Sequence, residues 1–136
     1  MYSSGESERL LGKALQQIGA PRSSYVILTK TYFAVLPEGT SDAAFFNPDK
    51  HGLANAAGLS RKHIFDSIKA SLERLQVEYV DVLQCHRFDY ETPIEETMRA
   101  LHDVVQAGYA RYIGMSSCDA WQFHMMQSQS LVCFLA

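Results

Sequence analysis

The sequence predicts an α/β fold in which parallel strands are joined by single crossover helices, and three observations carry that reading. Helical and strand patterns alternate in the order αβαβαβα from residue 6 onward. Three short apolar runs, 25–30, 79–86 and 111–116, have the composition of strands. One helix separates each consecutive pair, and such crossovers force parallel pairing. A (β/α)8 TIM barrel and an open doubly wound sheet both satisfy the pattern. No G-x-G-x-x-G or P-loop motif occurs in the chain, which weighs against a Rossmann or nucleoside-triphosphatase domain. A complete barrel takes about 250 residues. With 136 residues and three clear strands, a barrel reading predicts about half of one.

Each element has a local cause. Leu10, Leu11, Ala14, Leu15 and Ile18 recur at helical spacing over 6–18, and Gly19 with Pro21 predicts the stop. The run from Tyr25 to Lys30 is nearly all apolar, the form of a strand buried on both faces. Segment 31–59 far exceeds the ~4–6 residues usual for a connection. Its Gly, Pro, Asn and Asp content predicts a loop, while Phe33, Phe45 and Phe46 give it something to bury. A decorated surface loop and a substrate-pocket lid both fit; the lid is favoured because long loops after barrel strands build active sites.

Ser60 is placed to cap a helix whose apolar stripe is Ile64, Phe65, Ile68, Leu72 and Leu75. Thr92 to Glu95 reads as a capping box with Pro93 at the first helical position, and Gly108 closes that helix. Met98, Leu101, Val104 and Val105 form its core stripe. Asp119 can cap a last helix running to about Gln127, with Trp121 anchoring it on the sheet.

Composition bounds the function. Hydrophobic residues make up 47% and charged ones 20%, the balance of a soluble globular chain. Twelve Lys+Arg against fifteen Asp+Glu give a net charge of −3, which leaves no basic footprint for nucleic acid or an anionic membrane. No apolar run approaches the ~18 residues of a membrane span, and residues 1–6 do not start like a signal peptide. Cys85, Cys118 and Cys133 are odd in number and widely spaced, which predicts a reducing, cytoplasmic setting without a disulfide framework.

Both candidate architectures place their sites at the carboxyl ends of parallel strands. Those ends read Lys30, then His86, then Ser116 with Ser117. Each has an ordinary reading as a solvated strand end, a structural histidine or a turn. Together on one rim they exceed what a purely structural sheet requires. A metal site is not expected: Cys85 and His86 are adjacent on a strand and point to opposite faces, and Cys118 adds no ligand spacing. His102 and His124 fall in helices with no acidic partner at fixed spacing. Asp81, between Val80 and Val82, reads as a buried, hydrogen-bonded residue.

Four stretches, 2–15, 26–30, 79–89 and 111–117, closely resemble the aldo-keto reductases, in order and in register. The nearest type is that of the fungal aryl-alcohol dehydrogenases and versiconal hemiacetal acetate reductase. The resemblance implies an NADP(H)-dependent reductase on a (β/α)8 barrel, turning an aldehyde or ketone, aromatic and polyketide-derived ones included, into an alcohol. Carried over by position, Tyr2 matches the family's proton donor and Lys30 the lysine that lowers the tyrosine's pKa. His86 matches the histidine that orients the carbonyl, and Ser116 and Ser117 the pair that helps hold the nicotinamide carboxamide. The family's aspartate before the tyrosine, its first two strands and its last three have no counterpart, and 128–136 does not follow the family pattern. Residues 1–136 are therefore expected to be a partial reductase domain, truncated at both ends, with 31–59 as its active-site loop and 128–136 as an off-family tail. By itself such a chain is expected to be weakly active or inactive. Two other readings stay open: an incomplete gene model, and a non-catalytic binding or regulatory module that self-associates through open strand edges at 25–30 and 111–116. The expected partner on the first reading is a small carbonyl compound, with neither nucleic acid nor membrane.

Overall fold

The computed structural model describes residues 2–36 and 52–134, with side chains described through residue 129. The elements are α1 (Glu6–Ile18), β1 (Leu28–Thr31), α2 (Arg61–Leu75), β2 (Val80–Cys85), α3 (Ile94–Gln106), β3 (Ala110–Met115) and α4 (Ala120–Phe134). The strands form one parallel sheet in the order β1-β2-β3. Lys30 is in register with Gln84, and Gln84 with Gly114, so the strand ends line up along one rim as the alternation of helix and strand predicts.

Local signals explain most boundaries. Gly19 takes a left-handed conformation and its N–H caps the Leu15 carbonyl of α1. The Ser60 hydroxyl accepts from the His63 N–H and starts α2. After α3, Gly108 turns with φ +79° while the Tyr109 N–H reaches back to the Val104 carbonyl. The core lies between the sheet and helices α2 and α3: Ile64, Ile68 and Leu75 meet Leu83 and Cys85, and Leu101 and Val104 close it. Burying such side chains contributes roughly 1.5–3 kcal/mol each.

Several expectations need correction. The run at 25–30 is not buried on both faces: Val26 is 68% and Leu28 55% exposed. Only the helix-facing side of the sheet is covered; the other side, with Leu28, Val82 and Tyr112 in register, is open among the described residues. Strand pairing starts later than expected because Ile27 bonds to the Asp81 side chain through its N–H and to β2 amides through its carbonyl. The apolar stripe of α1 is largely exposed, with Leu10 at 65% and Ile18 at 70%. That helix instead packs through Gly12, where an added Cβ would lie 2.6 Å from the Leu75 carbonyl oxygen. Backbone approaches backbone there, and a side chain does not fit.

The Thr92 capping box does not form. Pro93 occupies the cap position without a side-chain bond, because the Thr92 hydroxyl donates to Asp89 instead. The last helix passes Gln127 and continues to Phe134: no Gly or Pro interrupts it, and Ser128 is accommodated by donating to the His124 carbonyl one turn back. Asp119 directly precedes the helix's first residue, Ala120, and the bond made there is the Asp119 N–H donating to the Gln122 side-chain oxygen. Trp121 does not anchor the helix on the sheet; it is 55% exposed and leans on Phe88. His102 has an acidic neighbour after all, Asp103. Of the 31–59 segment, only 31–36 and 52–59 lie among the described residues, so Phe45 and Phe46 fall outside them; Cys133 lies in α4, beyond the described side chains. No described helix is long and apolar enough to cross a membrane.

Candidate active site

A strained turn delivers the first site residue. Ser3, Ser4 and Gly5 all take positive φ, at 47°, 52° and 83°, and only glycine does so without penalty. The turn brings Tyr2 against His86, their rings meeting edge to face with centroids 6.1 Å apart. Tyr2, Lys30 and His86 line one cleft of about 190 Å³ beside β1, floored by Leu11, Leu28 and Leu75. The structure thus gathers three of the five expected residues, from an N-terminal turn, β1 and the segment after β2.

Ser116 and Ser117 stand apart from that cleft but on the same rim. The Ser116 N–H donates to the Cys85 carbonyl at 2.9 Å, extending the β2–β3 ladder by one bond. The two hydroxyls lie 3.4 Å apart, and Ser117 turns the chain with φ 49°. His86 and Ser116 therefore follow paired strands at neighbouring positions on one rim.

The electrostatics favour a neutral His86. Burial lowers its pKa, the Lys30 ammonium lowers it further, and the Thr31 carbonyl offsets only part of this. Both ring nitrogens are buried without a hydrogen-bond partner among the described residues. An unmet donor and acceptor at a cleft wall is a costly arrangement and a receptive one. The Phe33 ring, 5.5 Å from the imidazole, closes it from the loop side.

Two residues that shape the site, Asp89 and Glu8, were not singled out from sequence. Asp89, 7% exposed, accepts from the N–H groups of Leu59 and Glu91 and from the Thr92 hydroxyl. It ties the end of the long loop to the segment after His86. Its signal was present: an Asp two residues before the amide it binds is an Asx turn. Glu8 accepts from the Thr29 hydroxyl and from Arg74, both at 2.6 Å; nothing local announces partners so distant in sequence. Asp81, read as a buried structural residue, is half-buried and bonds to Arg22 at 2.6 Å. It sits at the start of β2, on the rim opposite the cleft. The described residues hold no cluster suited to a metal ion.

Comparison with known proteins places this geometry. A family model described as "Aldo/keto reductase family" matches residues 1–136. Versiconal hemiacetal acetate reductase of Aspergillus parasiticus is 52% identical over 130 residues, which cover 94% of this chain and 38% of that protein. A Schizosaccharomyces pombe protein named for aryl-alcohol dehydrogenase is 46% identical, covering 93% of this chain and 38% of that one. Among solved structures, the thermostable aldo-keto reductase Tm1743, crystallised with the inhibitor epalrestat, superposes with a TM-score of 0.72 at 29% identity, over 95% of this chain and 38% of that one. The chain thus spans under two-fifths of the length of these relatives, and its three-stranded parallel sheet with helices is a partial α/β barrel. Fold, motif order and match agree: the chain belongs to the aldo/keto reductase family.

Proposed function

We propose that the cleft serves the NADP(H)-linked reduction of an aldehyde or ketone to an alcohol, with Tyr2 as proton donor. The observation that carries this is the convergence of Tyr2, Lys30 and His86 on one cleft wall. When bound, the nicotinamide supplies a hydride to the carbonyl carbon. The remaining work belongs to the chain. The Tyr2 O–H bond breaks and its proton passes to the carbonyl oxygen, completing the alcohol. The Lys30 ammonium, which lines the same cleft, stabilises the negative charge left on the phenol oxygen. Neutral His86 keeps one ring N–H to donate to the developing oxyanion.

The residues fit a nicotinamide on an observation of this structure: among the described residues the buried His86 ring nitrogens have no hydrogen-bond partner, and the Ser116 and Ser117 hydroxyls stand exposed after the neighbouring strand. Those two serines would hold the carboxamide. An aromatic substrate is supported by the aryl-alcohol dehydrogenase name of one relative and by the Phe33 ring beside His86; NADPH as the cofactor is part of the proposal itself. The test is NADPH consumption with a reactive aromatic aldehyde, alongside NADPH binding by fluorescence. Slow turnover that Tyr2→Phe lowers by roughly 10²–10⁴-fold supports the reading. Absence of both turnover and binding, or turnover indifferent to Tyr2→Phe, overturns it.

A second reading is favoured by the open sheet side, where Val26, Leu28 and Tyr112 are each more than half exposed. Such a face, with β1 and β3 as the edges of the sheet among the described residues, suits association of one copy with another. A concentration series in sedimentation velocity that stays monomeric removes this reading.

A further inference from the structure

We propose that Glu8 is a positioning residue that fixes where Tyr2 stands over the cleft. Its carboxylate joins three parts of the fold. One oxygen accepts from Thr29, the strand residue next to Lys30, and the other from the Arg74 guanidinium of α2. Arg74 in turn passes beneath the turn that carries Tyr2: a Cβ on Gly5 would lie 2.6 Å from Arg74 Cδ. Glu8 and Arg74 are 14% and 12% exposed, so water screens the pair little, and charge-assisted bonds of this length are among the stronger ones.

The need for such a fastening follows from the turn. Two consecutive serines in left-handed geometry are strained and persist only when their surroundings over-determine them. Glu8, through Arg74, supplies that constraint from below, and Arg9 adds one from above by donating to the Ser4 carbonyl. Burial disfavours the Glu8 charge, but the Thr29 hydroxyl and the Arg74 guanidinium outweigh it and hold the carboxyl below its ordinary value. The clamp is therefore closed at neutral pH. Removing the charge frees α1 to shift against β1, and Tyr2 leaves His86.

The functional meaning of this clamp rests on reading Tyr2 as the proton donor; its geometry does not, and the test uses no turnover. In the chain labelled with ¹³C-histidine, the His86 ring resonance is identified by its loss in His86→Asn, and the ring-current contribution of Tyr2 by the shift in Tyr2→Ala. Glu8→Gln keeps the shape and removes the charge. The expected result is a His86 shift covering more than half the distance to the Tyr2→Ala position, with the exposed His124 resonance unmoved. Thr29→Val removes one arm only and is expected to move His86 the same way by less. If Glu8→Gln fails to fold, Thr29→Val decides. A His86 resonance unmoved by these variants, or unmoved by Tyr2→Ala, overturns the proposal. Failed NADPH assays would overturn the reductase reading alone.

Discussion

The His86 imidazole stands edge-on to the Tyr2 ring, with planes at 63°, and shares its cleft with the Lys30 ammonium. Burial and that cation both push the imidazole below its ordinary pKa of 6.5, so it stays neutral through the physiological range. The native state therefore takes up the proton later than the unfolded chain as pH falls. Stability from this group is present above 6.5 and is lost as pH drops toward the depressed native value. Histidine NMR titration is expected to place the His86 midpoint below the ordinary 6.5. Lys30→Met, which removes the like charge, is expected to raise it. A His86 midpoint unmoved by Lys30→Met would show that the ammonium does not reach the ring.

Asp89 carries the loop end. Burial disfavours its charge, but the amides of Leu59 and Glu91 and the Thr92 hydroxyl outweigh this and lower its pKa. Its stabilisation is present above the ordinary 3.8 and is lost as pH falls through the lower native value. Asp89→Ala leaves buried donors unmet, and a loss of roughly 3 kcal/mol is expected in urea unfolding. Gly58→Ala should act on the same joint: its φ is +85° and the new Cβ would lie 2.8 Å from the Asp89 carboxylate. If Asp89→Ala melts like the parent chain, the loop is held elsewhere.

Gly12 sets the distance between α1 and α2. An alanine there meets the Leu75 carbonyl at 2.6 Å and the Arg74 carbonyl at 2.9 Å. These are backbone atoms that cannot swing aside. Gly12→Ala raises helix propensity by about 1 kcal/mol, but overpacking costs roughly 1–3 kcal/mol. Net destabilisation is therefore expected, together with a shift of His86 as the Tyr2-bearing end moves. A more stable Gly12→Ala chain would mean that α1 is not seated where its backbone contact puts it.

The rim was legible because strand ends are local: an apolar run that stops at Lys30, His86 or Ser116 marks its own terminus. Gly19, Ser60 and Gly108 were legible for the same reason. What misled or stayed hidden depended on distant partners. Thr92 has every local mark of a cap, yet Asp89 takes its hydroxyl. The α1 leucines have helical period, but periodicity does not say whether a neighbour covers them. Glu8 reads as an ordinary first-turn acid, and only the folding of Thr29 and Arg74 around it makes it a joint. Tyr2 was reached by resemblance alone, since its turn depends on left-handed serines that no propensity favours.

Cys85 gives the chain a second pH limit, on the alkaline side. It is fully buried, and that burial, with the Asp89 charge and the neighbouring Cys118 adding to it, pushes the thiol up to about 12 from its ordinary 9.0. The unfolded thiol ionises near the ordinary value while the native one keeps its proton. Its contribution is therefore fully present below 9.0 and is lost as pH rises toward about 12. One proton corresponds to a slope of at most about 1.4 kcal/mol per pH unit. Tyrosines ionise in the same range, so the measurement is a difference: urea stability between pH 9 and 11 is expected to fall less steeply in Cys85→Ala than in the parent chain. A thiol reagent should label the half-exposed Cys118 in the native state and reach Cys85 only on unfolding. Equal alkaline slopes, or native labelling of Cys85, would mean that the sheet end beneath the cleft opens to water, and His86 would then lose the burial that keeps it neutral.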